Sequence, residues 1–145
     1  MWRSRFRPMK VQDIMHRSAP QTAPDTTLAD VAQKMLNMEV GCLPAWENDE
    51  LVGIITDRDI VCRAIADGRD PAATTVREVM SKNVAFCYDD QIVDRASQVM
   101  GEKNIGRLPV LDHDKHSVGI LTLGDLFNNS TEITRTVIRS VMQYH

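Results

Sequence analysis

The feature that most constrains this chain is an internal repeat. Three blocks occur twice in the same order: VQDIM at 11–15 and VREVM at 76–80, GCLP at 41–44 and GRLP at 106–109, and GIITDRDI at 53–60 and GILTLGDL at 119–126. The first two pairs lie 65 residues apart and the third 66, so one residue has been inserted between Pro109 and Gly119. A fixed internal period indicates a fold built from two copies of one structural unit.

The length of the chain limits how these copies can fold. The 145 residues fit one compact domain, whereas one copy of about 60 residues is close to the smallest size that sustains its own core. We therefore expect the copies to share a core or to pack face to face. The composition, 43% hydrophobic and 26% charged, is ordinary for a globular protein, and the sequence has no apolar run of membrane-spanning length.

Charge is distributed unevenly along the sequence. The first ten residues carry Arg3, Arg5, Arg7 and Lys10 and no acid, which leaves −7 on the remainder of a chain whose net charge is −3. An acidic body lacks the clustered basic face of a nucleic-acid-binding protein, so we expect no such partner. The N-terminal segment has no secretory apolar stretch. A frayed terminus, a basic arm for an anionic partner and a mitochondrial-type leader remain as interpretations.

The cysteine and histidine residues do not form a recognisable metal or disulfide pattern. Cys42, Cys62 and Cys87 are odd in number, widely spaced and free of any C-x-x-C pair, which favours a reducing, cytoplasmic location. We expect Cys62 to be buried and inert on the inner face of its helix. His113 and His116 lie in a polar turn, where we expect a solvated loop rather than a metal site.

Apolar spacing predicts the same helix in both copies. Positions 28, 31, 32 and 35 share one helical face, and Thr27 followed by Asp30 resembles a capping box. In the second copy the equivalent face carries Val93, Ala96, Ser97 and Met100. Each helix should end before a glycine, Gly41 or Gly106.

Strands and a second helix follow in each copy. We predict hairpins from 43–46 with 51–55 and from 108–111 with 118–121, and a helix from Asp57 to Ala66 that ends at Gly68. With first strands near 19–22 and 84–87, each copy has the order β-α-β-β-α. A final helix should carry Ile133, Val137 and Val141 in one stripe, which must bury against the domain's own end or a second subunit.

These duplicated units resemble the CBS domain family, and the chain from Val11 to Asn128 is similar to a stand-alone CBS pair, or Bateman module. The most specific motifs are the Leu-Pro after each first helix and the Thr-x-x-Asp elements. The resemblance implies an α/β (α+β) fold in which two CBS repeats pack with pseudo-two-fold symmetry. We assign 1–10 to a basic arm, 11–70 and 71–128 to the repeats, and 129–145 to a C-terminal helix.

The resemblance also implies adenosine-derivative binding in two clefts between the repeats. The family's Asp binds the ribose hydroxyls, and its Thr lies by the phosphate or ribose. Carried over, the first cleft contains Thr56, Arg58, Asp59, Met80, Asn83, Ala85, Ile105 and Arg107. The second contains Met15, Ser18, Pro20, Val40, Cys42, Thr122 and Asp125. The expected ligand is AMP, ADP or ATP, with NAD-type cofactors and S-adenosylmethionine as further candidates, and no cofactor is required.

The chemistry of these residues suits nucleotide binding independently of the resemblance to the family. A carboxylate can accept hydrogen bonds from both hydroxyls of a cis-diol, and a helix N-terminus favours an anion. Thr-x-x-Asp is also a helix N-cap, although Asp is shorter than the Glu or Gln preferred in a capping box. Recurrence in both copies favours binding, and the two roles are compatible. Arg107, which replaces Cys42, and Arg58 are either phosphate ligands or surface charges.

We therefore predict a non-enzymatic, energy-sensing regulatory module that binds adenine nucleotides and acts on an unidentified partner protein. The alternative is a structural or protein-interaction module with vestigial clefts. The sequence has no nucleophile–base pair or metal-ligand set, which argues against an enzyme. A homodimer is expected because the second helices carry more apolar residues than one small core needs. These are Ile60, Val61, Ala64, Ile65, Leu126 and Phe127.

Overall fold

The computed structural model describes residues 8–17, 20–129 and 131–142, and its mixed α+β fold confirms the predicted class. Ser18 and the first seven residues of the predicted basic arm lie outside the described residues. The helices are α1 Val11–Ile14, α2 Leu28–Met38, α3 Asp57–Asp59, α4 Val76–Val79, α5 Val93–Lys103, α6 Leu123–Asn128 and α7 Glu132–Met142. The strands are β1 Cys42–Glu47, β2 Glu50–Thr56, β3 Cys87–Tyr88, β4 Arg107–Leu111 and β5 Ser117–Thr122.

The described residues form two compact units that do not follow the order of the chain. One unit comprises residues 20–84, and the other combines residues 8–17 with the described residues from 85 onward. Helix α1 therefore belongs to the unit that contains the second copy's strands, and α4 belongs to the unit that contains the first copy's strands. The repeat boundaries at 11–70 and 71–128 stay predictions.

Each unit is built around an antiparallel hairpin. Strands β1 and β2 pair from Cys42 opposite Thr56, and β4 and β5 pair from Arg107 opposite Thr122. In the second hairpin's unit, β3 also pairs in parallel with β4. The predicted hairpins are confirmed, and each extends by a residue or two beyond its apolar run.

The segment after each short helix packs closely on a hairpin strand. His16 exchanges two backbone hydrogen bonds with Ile120, at 3.0 and 2.9 Å, and Ser81 exchanges two with Ile54, both at 2.9 Å. These approaches require glycine in the strand. A Cβ on Gly119 would lie 2.4 Å from the carbonyl oxygen of His16, and a Cβ on Gly53 would lie 2.3 Å from the sulfur of Met80.

Each unit has its own hydrophobic core. The core of residues 20–84 contains Leu28, Val31, Met35, Leu43, Ala45, Ile55, Ile60, Ala64, Val76, Val79 and Met80. The other core contains Val11, Met15, Cys87, Val93, Ala96, Met100, Leu108, Val110, Leu121, Leu126, Val137, Ile138 and Val141. The apolar stripe of α7 therefore closes the end of its own unit, where Val137 packs against Gly101 of α5.

Most of the described residues in the two predicted first strands do not form strands. In the first copy, Thr22 forms only an isolated parallel bridge with Ala45, and in the second, β3 begins only at Cys87. Pro20, Pro24 and Pro44 surround the Thr22 bridge. Because proline has no backbone N–H donor, a longer ladder cannot form there.

The predicted helix from Asp57 to Ala66 is one α-helical turn followed by a π-helical segment, Ile60–Ile65. Ile60 and Ala64 define its buried face. Cys62 lies two residues from each and is exposed, so the prediction that it is buried was wrong. Ala32, predicted on the inner face of α2, is also exposed, because no element equivalent to α7 covers that helix within residues 20–84.

Within the described ranges, no helix combines the length and apolar character needed to cross a membrane.

Alkylation of the cysteines tests this arrangement. Iodoacetamide applied to the native protein near pH 8 should modify Cys62 and spare the others, since Cys42 is 3% and Cys87 1% exposed. Burial also raises the pKa of the Cys87 thiol to about 12, so its reactive thiolate is scarce. Intact mass should show one adduct, and Cys62→Ser should show none. Two or more adducts on the native protein would contradict the fold.

Candidate functional site

The junction of β2 and α3 holds a half-buried carboxylate at a helix N-terminus. The backbone N–H of Asp59 donates to the Thr56 hydroxyl at 3.0 Å. In return, the Thr56 N–H donates to Asp59 Oδ2 at 3.0 Å. The Asp59 side chain is 16% exposed. This reciprocal pair satisfies donors that a helix start would otherwise leave free, and it fixes the carboxylate at that end.

The junction of β5 and α6 repeats the arrangement in the other unit. The Asp125 N–H donates to the Thr122 hydroxyl at 3.2 Å, and the Thr122 N–H donates to Asp125 Oδ2 at 2.9 Å. The Asp125 side chain is 8% exposed. Both junctions thus form complete capping boxes, with Asp in the position where the longer Glu or Gln is preferred. Each box uses one carboxylate oxygen for its cap.

The basic partner of the carboxylate differs between the two junctions. His16 Nδ1 lies 2.9 Å from Asp125 Oδ1 and 3.1 Å from Oδ2. Near Asp59 the cation is Arg63, whose Nε lies 3.7 Å from Asp59 Oδ1. Arg63 Nη1 donates to the Val79 carbonyl at 3.0 Å and lies 3.4 Å from the Ser81 hydroxyl.

His16 and Arg63 were missed in the sequence analysis. The repeat contained a usable signal, because His16 aligns with Ser81 immediately after the matched VQDIM and VREVM blocks. A histidine in place of a small hydroxyl residue, next to the predicted binding residue Met15, indicates a difference in chemistry between the two copies. Arg63 lies four residues after Asp59, a spacing at which helical side chains meet.

The other predicted residues of the unit 20–84 differ in accessibility. Arg58, in the first turn of α3, and Asn83 are exposed. Pro20 and Val40 are partly buried, with Val40 packed against the core. Met80 and Cys42 are buried at 7% and 3% exposure. Within this unit, strand pairing brings Cys42 opposite Thr56.

The remaining predicted residues lie in the other unit. Met15 is 8% exposed and packs in the core. Ala85 and Ile105 are partly buried against that core. Arg107 is exposed at the start of β4 and pairs with Thr122 across the hairpin. Each predicted cleft therefore takes residues from both units, and the grouping of residues into clefts stays a prediction.

The turn between β4 and β5 is exposed, as expected for a solvated loop. His113 Nε2 lies 2.7 Å from Asp90 Oδ2, and this hydrogen bond raises the pKa of His113. The same ring stacks on Tyr88 with centroids 4.5 Å apart. The N–H of His116 donates to Asp112 at 2.9 Å and lowers the pKa of that carboxyl.

That turn also brings three groups of metal-ligand type together. Donor atoms of Asp112, Asp114 and His116 lie within 4.8 Å of one another. Asp112 Oδ1 already accepts from the backbone N–H groups of Asp114 and His116. These contacts account for the clustering without an ion.

Comparison with known proteins identifies one family. The model of the CBS domain matches residues 11–64 and 76–132. The CBS domain-containing protein YhcV of Bacillus subtilis is 39% identical over 119 residues, which cover 82% of this chain and 84% of that protein.

Solved structures agree with this match. A conserved CBS domain protein of unknown function from Thermoplasma acidophilum, TA0289, has a TM-score of 0.83 at 26% identity, covering 94% of this chain and 77% of that chain. The CBS domain pair of protein MJ0100, solved with 5′-methylthioadenosine and S-adenosyl-L-methionine, has a TM-score of 0.76 at 28% identity. It covers 84% of this chain and 95% of that chain.

Proposed function

This chain belongs to the CBS domain family as a tandem pair of CBS repeats, and we propose that it is a non-enzymatic regulatory module that binds adenosine derivatives of the AMP, ADP and ATP class. The observation that carries the proposal is the recurrence of one arrangement. In both units a threonine at the end of a strand and an aspartate three residues later lie at a helix N-terminus and form the same two capping-box hydrogen bonds, one of which is accepted by the carboxylate.

This arrangement has the chemistry that a nucleoside requires. A carboxylate can accept hydrogen bonds from both hydroxyls of a ribose cis-diol, as in other nucleotide sites. The cap bond to Asp59 occupies Oδ2, which leaves Oδ1 for a ligand. The same aspartate can therefore cap its helix and bind a cis-diol, because the cap holds the carboxylate in a fixed position. The adenosine compounds bound by the MJ0100 pair support the same ligand class.

The regulatory part of the proposal follows from linkage. A bound nucleotide shifts a conformational equilibrium only by its difference in affinity for the two states. The chain would therefore report nucleotide concentration to a partner protein that recognises one state. No cofactor is required for this role, and a cytoplasmic location is part of the proposal.

A protein-interaction module with vestigial sites is the second candidate. The contact between His16 and Asp125 favours it, because a carboxylate already paired with a side chain has less need of a ligand. The two candidates differ in one measurable property, since only the first requires nucleotide binding that depends on Asp59 and Asp125.

Substitution of each carboxylate tests the proposed function. Asp59→Ala and Asp125→Ala should each weaken one nucleotide site and spare the other, because a charge-assisted hydrogen bond contributes roughly 1.5–3 kcal/mol, on the order of ten- to a hundred-fold in affinity. Calorimetric titration with AMP and ATP measures the effect. Thr27→Ala, which removes a helix cap at α2, is the control for the loss of a cap alone. Unchanged affinity in both Asp variants would favour the interaction module.

The exposed arginines Arg58 and Arg107 are proposed to bind the phosphates of the ligand that Asp59 holds. That site should prefer ADP or ATP over AMP and adenosine, because a guanidinium holds a phosphate bidentately. Asp125 should hold a less phosphate-dependent adenosine compound. The net −7 outside the first ten residues opposes anions, so these cations must act at short range, where salt screens them least.

Comparison of ATP with adenosine tests the role of Arg107. In Arg107→Ala, ATP affinity should fall about tenfold or more while adenosine affinity stays constant. Arg139→Ala removes the same charge from an exposed position of α7 and should change neither. An equal loss for both ligands, or no loss for either, would mean that Arg107 does not bind phosphate.

We also propose that the protein is a homodimer with an apolar helical interface. Ile60, Ala64 and Leu126, once expected in that interface, are instead core residues of their own units. Large apolar side chains nevertheless remain exposed in each unit. The five most exposed are Leu36 at 72%, Val61 at 58%, Ile65 at 51%, Phe127 at 70% and Met142 at 65%. Exposed apolar residues of this size favour burial against a second copy.

Light scattering at micromolar concentration tests the dimer. The wild type should show twice the chain mass of 16.3 kDa. Ile65→Glu and Phe127→Glu should each shift the mass toward the monomer, because a buried unpaired charge is costly. Ala72→Glu, at an exposed position between the helices, is the matched control. A monomeric wild type would contradict the proposal.

A further inference from the structure

We infer that His16 is a specificity-determining residue that competes with the ligand's ribose hydroxyls for Asp125, so that the two carboxylates bind a cis-diol unequally. The inference rests on the proposed function, and it concerns a residue outside the Thr-x-x-Asp motifs. Its basis is the hydrogen bond between His16 and Asp125 together with the absence of such a bond at Asp59 among the described contacts.

The carboxylate of Asp125 already accepts hydrogen bonds from two protein groups. Its Oδ2 accepts the Thr122 N–H at 2.9 Å, and His16 Nδ1 lies within 3.1 Å of both oxygens. A carboxylate offers about four acceptor positions, and here the cap and the imidazole occupy at least two. Only 8% of the side chain is exposed, so we expect a diol to reach this carboxylate by displacing the imidazole.

The carboxylate of Asp59 has fewer of its hydrogen-bond acceptor positions occupied. Its Oδ2 accepts the Thr56 N–H at 3.0 Å, whereas Oδ1 faces Arg63 Nε at 3.7 Å, beyond hydrogen-bond distance. The bond from Arg63 Nη1 to the Val79 carbonyl holds that guanidinium where it is. Oδ1 therefore keeps its acceptor positions for a ligand, and its side chain is twice as exposed as that of Asp125, 16% against 8%.

One substitution between the copies accounts for the difference. His16 and Ser81 follow equivalent short helices and make the same pair of backbone bonds to β5 and β2. Their side chains therefore start from equivalent positions, but only histidine reaches its carboxylate. The His16 side chain is 63% exposed, so little packing opposes its displacement, and the imidazole acts as a removable competitor.

A reciprocal exchange tests the inference. In the Asp59→Ala background, which isolates Asp125, His16→Ser should raise adenosine affinity about 3- to 10-fold, the value of one hydrogen bond. His16→Asn keeps a side-chain N–H donor and should retain the lower affinity. In the Asp125→Ala background, Ser81→His should lower adenosine affinity, whereas His16→Ser should have no effect. Isothermal calorimetry measures each value, and urea unfolding verifies that each variant folds.

A spectroscopic measurement separates competition from a structural role. In the Asp59→Ala protein, adenosine should shift the imidazole ¹⁵N resonance of His16 as the bond to Asp125 is lost. In the Asp125→Ala protein, adenosine should leave that resonance in place. A purely structural His16 would give no ligand-dependent shift in either protein.

The outcomes distinguish this inference from the proposed function. If the single-carboxylate variants bind adenosine but His16→Ser lowers the affinity or leaves it unchanged, the inference is overturned and the proposed function stands. If neither the wild type nor any variant binds adenosine or AMP at millimolar concentration, both are overturned.

Discussion

The close approach of one backbone segment to a glycine in each hairpin is the constraint on which the rest of the structure depends. Gly53 and Gly119 allow the residues after α4 and α1 to form paired hydrogen bonds with the strands of the other copy. This pairing fixes which helix belongs to which compact unit. It also places His16 beside Asp125 and Ser81 near Arg63, so the chemistry of each carboxylate follows from a packing requirement several residues away.

The two strand-to-helix junctions combine stability with binding chemistry. A capping box uses one oxygen of each carboxylate and one threonine hydroxyl, and it holds both groups at a helix N-terminus. Because the cap leaves the second oxygen available, a structural role and a binding role do not exclude each other. The difference between the copies then arises from whichever basic side chain faces that second oxygen.

The features that depend on local pattern were predictable from the amino-acid sequence. The repeat, the hairpins, helices α2 and α5, and the family could be read from spacing and motifs, because these depend on neighbouring residues. The packing of α1 and α4 on the other copy's strands could not, since it depends on contacts between separate segments of the chain. His16 and Ile120 are 104 residues apart, and Ser81 and Ile54 are 27 residues apart. Exposure of Ala32 was mispredicted because helical periodicity does not show which faces a later element covers. Cys62 was assigned to the wrong face of its helix, since the buried residues there are Ile60 and Ala64.

The central claim is that one chain carries two unequal adenosine sites, and its most direct test is a calorimetric titration of the wild-type protein with AMP, ATP, NADH and S-adenosylmethionine. We expect at least one of these ligands to bind with two distinguishable affinities and a total of two sites per chain. Absence of binding by all four ligands at millimolar concentration would contradict it. Two identical sites would contradict the role assigned to the differing basic partners.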